Sequence, residues 1–180
     1  KEPWRCFANR GLEPIYRPDR VLEAFSALAA RHPEARLVVA NDGSLRGALV
    51  SRAQRPDLAG KGECVGRWDA AAQDRQYARA TWYLSLPASD SVSVSVLEAM
   101  GHGCIPLLSD LPANHELLGS GENGRVLPEG EPVLPVADLV ALDDLAARAA
   151  DIGRANRRWV EQHGLFAPAV QGLLNRMAQL

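Results

Sequence analysis

The chain has 180 residues, 47% of them hydrophobic and 23% charged, with a net charge of −2. A chain of this length buries roughly 70% of its unfolded surface without disulfide staples, and this composition excludes disordered, collagen-like and coiled-coil classes. The near-neutral charge argues against a nucleic-acid binder with a basic face and against a polybasic membrane surface.

Trp4 to Asn9 reads as a short apolar strand, followed by a loop carrying Pro14 and Pro18. Asp19 is placed to cap a helix from Arg20 to Arg31, with Val21, Leu22, Phe25, Leu28 and Ala29 on one stripe. Arg36 to Ala40 is a continuous apolar strand, and Asn41-Asp42-Gly43 turns the chain into a helical pattern at Leu45, Ala48 and Leu49. Glu63 to Val65 is a third strand closed by Gly66, and Asp69 to Ala80 is a polar helix with Tyr77 and Ala80 inward. Thr81 to Leu86, Cys104 to Leu108 and Gly124 to Leu127 are three further strands. Asn114 to Leu118, Leu139 to Asp151, Arg154 to His163 and Ala167 to Leu180 are helical, and Pro128 to Pro135 is a surface loop.

Strands alternating with helices imply an α/β domain, a Rossmann-like doubly wound parallel sheet of about six strands with helices on both faces. Residues 1–180 are expected to form a single domain. Such sheets bind ligands beyond the carboxyl ends of their strands, so the informative loops start at Arg10, Asn41, Gly66, Pro87 and Ser109. Cys6, Cys64 and Cys104 are scattered, which fits neither zinc nor a disulfide framework and suits a reducing cytoplasm. No apolar run is long enough to span a bilayer. The first residue is lysine, which suggests a part of a longer protein.

The segment Asp90-Ser91-Val92-Ser93-Val94-Ser95-Val96-Leu97-Glu98-Ala99-Met100-Gly101 carries the most chemistry. Ser91 to Val96 alternates like a half-buried strand. A parallel sheet, however, needs a crossover here, and Ser95-x-x-Glu98 spells a capping box. A helix start between Ser91 and Ser95 follows. At the carboxyl edge of a parallel sheet, such a start offers free N–H groups and a positive dipole end to an anion, phosphate above all. Two readings of the flanking carboxylates remain open on spacing. Glu98 closes the capping box and Asp90 caps the turn, or both accept hydrogen bonds from sugar hydroxyls beside a diphosphate.

Asp90-x7-Glu98 followed by Ala99-Met100-Gly101 resembles the E-x7-E signature of glycosyltransferase family 4. Arg10-Gly-Leu-Glu-Pro-Ile-Tyr16 with Val21 to Phe25 is similar to that family's first loop and helix. Val38 to Gly43, Val65-Gly66, Leu108-Ser-Asp110 and Glu122-Asn-Gly124 follow in the expected order, so the likeness covers roughly residues 5 to 165. It implies one half of a GT-B fold, the donor-binding domain of a retaining glycosyltransferase that uses a UDP- or GDP-sugar and no metal or other cofactor. Glu98 would accept from the ribose and Asp90 would sit by the donor sugar. Ser91, Val92, Ser93, Val94 and Ser95 would hold sugar hydroxyls and diphosphate through their backbone. Asp42 and Gly43 match the family's second-strand turn, and Gly66 and Arg67 would lie by the base. Arg10 would be the fixed cation that stabilises the leaving diphosphate. The family commonly has glutamate where Asp90 stands. It also commonly has a lysine near Ile15-Tyr16-Arg17, so Arg17 is the candidate substitute. The spelling of these motifs points to polysaccharide or glycoconjugate assembly in the cytoplasm. An acceptor-binding N-terminal domain would be missing, and any membrane attachment would run through it. The alternative is a non-catalytic scaffold that retains the fold.

Ala169, Val170, Leu173, Leu174 and Met177 form an apolar stripe on the last helix. That helix either crosses to the missing domain or folds onto its own. Gly119 to Gly124 matches a dinucleotide fingerprint in letters only, because it follows a helix and precedes a strand. His102 reads as a helix-end residue, and His115 lies nearer the ligand edge. Among the tryptophans, Trp68 follows a ligand-edge loop and is placed to border the base.

Overall fold

Strands with apolar side chains on both faces need cover above and below. The computed structural model describes residues 1–119 and 121–164. Six strands, β1 (Glu2–Ala8), β2 (Arg36–Ala40), β3 (Gly62–Gly66), β4 (Ala80–Ser85), β5 (Ile105–Ser109) and β6 (Arg125–Leu127), form one sheet. Their order is β3-β2-β1-β4-β5-β6, and every neighbouring pair is parallel. Cys6 lies opposite Leu37 on one side and Trp82 on the other.

The two-residue period of the strands splits the core. Cys6, Ala8, Leu37, Trp82, Leu84 and Leu107 face one way, toward α1 (Pro18–Arg31), α2 (Arg46–Ala53) and α6 (Val136–Ala147). Phe7, Val38, Tyr83 and Leu108 face the other way, toward α3 (Ala70–Arg79), α4 (Val94–Gly101) and α5 (Pro112–Leu118). The last described helix, α7 (Ala149–Trp159), continues into a π-helical turn at Val160–Gly164.

Several local expectations need correction. The first strand begins at Glu2 rather than Trp4. Asp19 does not cap α1. Arg17 is the N-cap in a left-handed conformation and Pro18 opens the helix, its fixed φ suited to a first turn. The break between the last two described helices falls at Arg148, and α7 runs through Gly153. That glycine serves packing. A Cβ on it would lie 2.7 Å from the Gly103 carbonyl oxygen. The Pro128–Pro135 segment is only partly surface, since Val133 and Leu134 are buried against the α1 side of the core. The expected helix over Ala167 to Leu180, with its apolar stripe, lies outside the described residues.

Among the described residues, no helix is long and apolar enough to cross a membrane, and no cluster of three or more His, Cys, Asp or Glu side chains could hold a metal ion.

Candidate functional site

The strand order places β1 beside β4, although β2 and β3 lie between them in sequence. Connections therefore leave β1 and β4 in opposite directions, and a crevice opens beyond their carboxyl ends. Asn9 and Arg10 enter it from β1, and the segment from Pro87 to Ser93 enters it from β4. The helix start expected between Ser91 and Ser95 is at Val94, with Ser93 as N-cap. The first turn of a helix leaves its amides without intrahelical acceptors. Here Val96 and Leu97 already bond back to the Ser93 carbonyl, at 3.0 and 3.2 Å, so the amides available to a ligand are those before Val96.

Arg10 joins the two loops. Its Nη2 donates to Asp90 Oδ2 at 2.6 Å, and its Nη1 donates to Ser93 Oγ and, at 3.4 Å, to Ser95 Oγ. The guanidinium carbon lies 4.5 Å over the Tyr16 ring, a cation–π contact. Both partners of the Arg10–Asp90 ion pair are 20% exposed, so a fixed cation and an anion meet at the mouth of α4 with limited screening. Asp90 also caps its own turn, accepting from the Ser91 amide at 2.9 Å.

Beneath Arg10 lies a buried polar network. Asn9 Nδ2 donates to Gln73 Oε1 at 2.5 Å and to the Tyr77 hydroxyl at 2.8 Å, while Asn9 Oδ1 accepts from the Tyr83 hydroxyl at 2.7 Å. Tyr83 also lies 2.8 Å from Ser95 Oγ. The Tyr77 hydroxyl faces Ser95 O at 3.3 Å and donates to Glu98 Oε2 at 3.2 Å. Burial pushes both phenols well above the usual tyrosine range, so they stay protonated. Glu98 closes no capping box, because Ser93 rather than Ser95 is the N-cap and no side chain caps it. The capping reading of Glu98 therefore fails, and Glu98 is an exposed residue whose carboxylate accepts from Tyr77.

A cavity of about 130 Å³ lies at the ends of β1 and β2 and the entry to α3, lined by Asn9, Ala40, Asn41, Arg67, Trp68 and Gln73. Asn41 ties its floor together, donating from Nδ2 to the Asn9 carbonyl at 3.1 Å and from its amide to the Gly66 carbonyl at 2.7 Å. Gly66 turns the chain there with φ +75°.

The expected site residues divide into two groups. Arg10, Asp90, Ser93 and Ser95 converge, Glu98 joins them through Tyr77, Ser91, Val92 and Val94 form the turn around them, and Arg67 lines the cavity with Gly66 next to it in the chain. Asp42 and Gly43 do not line it. They brace the loop after β1, where a Cβ on Gly43 would meet the Leu12 carbonyl oxygen at 2.5 Å and Leu12 N donates to Asp42 O at 3.0 Å. Arg17 is committed elsewhere. It donates to the Leu86 and Pro87 carbonyls at 3.0 and 2.7 Å and makes a two-pronged pair with Glu129 at 2.8 and 2.9 Å. In this arrangement it staples the exit of β4 and does not offer a free charge. His115 pairs with Asp110 at 2.6 Å and stands apart from the network. Sequence reasoning missed Asn9, Gln73 and Tyr83 as site residues and took Tyr77 for plain core. The available signal was a run of polar groups at strand ends, where a buried hydroxyl or amide must find a partner.

The chain matches the family described as glycosyl transferases group 1 over residues 4–157. It is 29% identical over 154 residues to a phosphatidyl-myo-inositol mannosyltransferase of Mycolicibacterium smegmatis, a match covering 84% of this chain and 39% of that protein. Anabaena HepE in complex with UDP-glucose superposes with a TM-score of 0.80 at 16% identity, covering 98% of this chain and 49% of that one. The C-terminal domain of LpcC, a glycosyl transferase group 1 family protein of Francisella tularensis, superposes with a TM-score of 0.73 at 17% identity, covering 90% and 87%. At those identities the structures speak for the fold alone. With the family match running along most of its length, the chain belongs to the group 1 glycosyl transferases, and its sheet is one half of a GT-B fold.

Proposed function

We propose that this chain is the donor-binding half of a retaining glycosyltransferase of family 4, taking a UDP- or GDP-sugar. The observation that carries this is the convergence of Arg10, Asp90, Ser93, Ser95 and the first turn of α4 at one point, with Glu98 about one turn further along the same helix. Amides at a helix start, two hydroxyls and a guanidinium suit a diphosphate. A carboxylate outside them suits the donor groups of a ribose, and the adjoining cavity suits a flat base against Trp68. HepE, of like fold, binds UDP-glucose.

In this account Glu98 orients the ribose, Arg67 and Gly66 border the base, and Asp90 lies beside the transferred sugar. As the bond to the anomeric carbon breaks, the leaving diphosphate gains negative charge. Arg10 and the dipole of α4 stabilise it in place, with no reorganisation at that moment and without a metal. The chain spans 39% of the mannosyltransferase it matches. A separate acceptor-binding domain completes the cleft, and any membrane attachment belongs to that domain. The whole enzyme builds a polysaccharide or glycoconjugate in the cytoplasm.

Calorimetry with UDP, GDP and their sugars tests this. The isolated chain should bind a nucleoside diphosphate weakly and transfer little or no sugar, and Glu98→Ala should weaken binding roughly tenfold. A folded chain that binds none of these ligands sinks the proposal. Unchanged transfer by a full-length Glu98→Ala protein would mark the chain as a scaffold instead.

A further inference from the structure

Glu98 is a long, exposed side chain that would otherwise sample many rotamers, yet one of its oxygens is anchored. The anchor is the Tyr77 hydroxyl at 3.2 Å. Tyr77 is itself immobile. It is buried, meets Phe7 edge-on at 5.0 Å and stacks on His102 at 5.2 Å. The direction of its proton is also constrained. Asn9 Nδ2 donates to the phenol oxygen at 2.8 Å, so the phenol is left to donate outward, toward Glu98 and the Ser95 carbonyl. Asn9 cannot turn over, because its Oδ1 accepts from Tyr83 while its Nδ2 also serves Gln73. Glu98 Oε1 has no partner among the described residues.

We infer that Tyr77 is a positioning residue. Its phenol, set by Asn9, holds the Glu98 carboxylate in the orientation that receives a vicinal diol, so recognition of the ribose hydroxyls is fixed one layer below the ligand. This rests on the donor-site reading above and adds to it a residue that touches no substrate. A carboxylate with one oxygen tethered and the other free loses less rotamer freedom on binding a diol, and the gain appears only for ligands that carry the diol.

The test compares UDP and GDP with their 2′,3′-dideoxy counterparts by calorimetry on the 180-residue chain. The unaltered chain should prefer the ribonucleotides. Tyr77→Phe should weaken ribonucleotide binding roughly fivefold to tenfold and leave the dideoxy ligands within about twofold. Glu98→Ala should erase the same preference, and the double variant should lose nothing further. Should Tyr77→Phe not fold, Asn9→Ser removes the donor behind the phenol and must also lower the ribo-to-dideoxy ratio. An unchanged ratio in a folded Tyr77→Phe or Asn9→Ser chain overturns the inference, as does an equal loss for both ligand classes. If the unaltered chain binds no nucleotide, the donor-site reading falls and takes this inference with it. Normal binding with an unchanged ratio removes the inference alone.

Discussion

Arg10 is engaged by acceptors of its own chain before any ligand arrives. Asp90 neutralises it at 2.6 Å, and two serine hydroxyls fill the remaining reach. A diphosphate entering that space must share Arg10 with a carboxylate of its own sign. Neutralising Asp90 removes both the competitor and the repulsion. Asp90→Asn should therefore tighten binding of bare UDP or GDP by roughly threefold to tenfold, about 0.7 to 1.4 kcal/mol, at low ionic strength. The gain should shrink as salt rises. Calorimetry at two salt concentrations checks it, and weaker binding by Asp90→Asn would mean that Asp90 serves chiefly to hold Arg10 in place. The pair Asp90 and Glu98 is legible in the chain as a spacing, with one carboxylate in the loop before α4 and the other about one turn inside the helix. The partnership of Arg10 with Asp90 is not, since 80 positions separate them and no local period links them. Tyr77 hid for another reason. An aromatic on the inward stripe of a helix looks the same whether its hydroxyl is idle or at work.

The helix that carries Glu98 is seated by a close backbone contact at its far end. Gly103 turns the chain after α4 with φ +74°, and a Cβ there would meet the Gly153 carbonyl oxygen at 3.0 Å. The reverse contact, from Gly153 to Gly103 O, is tighter at 2.7 Å and involves backbone that cannot swing aside. Beside it, fully buried Asn156 donates to the Cys104 and Asn123 carbonyls, both at 2.9 Å. Gly153→Ala should thus push α7 away from the α4–β5 corner and destabilise the fold by about 1 to 3 kcal/mol. A urea titration reads this as a lower midpoint, and an unchanged or higher midpoint would contradict the packing argument, since alanine otherwise favours a helix interior. The same glycine explains a misplaced boundary. In sequence it resembles a helix break, whereas its missing side chain is what lets two segments touch.

Alternation of strands and helices makes the parallel, doubly covered sheet legible, because each period demands one kind of neighbour. It does not say that β1 lies next to β4, and the crevice depends on that adjacency. Three surface pairs then tie α1 to its surroundings. Asp57 accepts from Arg52 and Ser26, Asp143 from Arg31 and His32, and Glu129 from Arg17. Hydrogen bonds from Arg52 and Ser26 hold the Asp57 carboxyl down to about 2, and those from Arg31 and Arg17 lower Asp143 and Glu129. A carboxyl more acidic in the folded than in the unfolded chain adds stability above its unfolded pKa, near 4, and loses it as pH falls toward the folded value. The urea midpoint should therefore hold steady from neutral pH down to about pH 5 and decline between about pH 4 and 2. Each pair is exposed and individually weak, so the decline is gradual and flattens at high salt. Asp57→Asn should make it shallower, because the group with the lowest folded pKa no longer titrates. A midpoint that stays level through that window, or one equally steep without Asp57, would show that these pairs do not hold α1 against its neighbours.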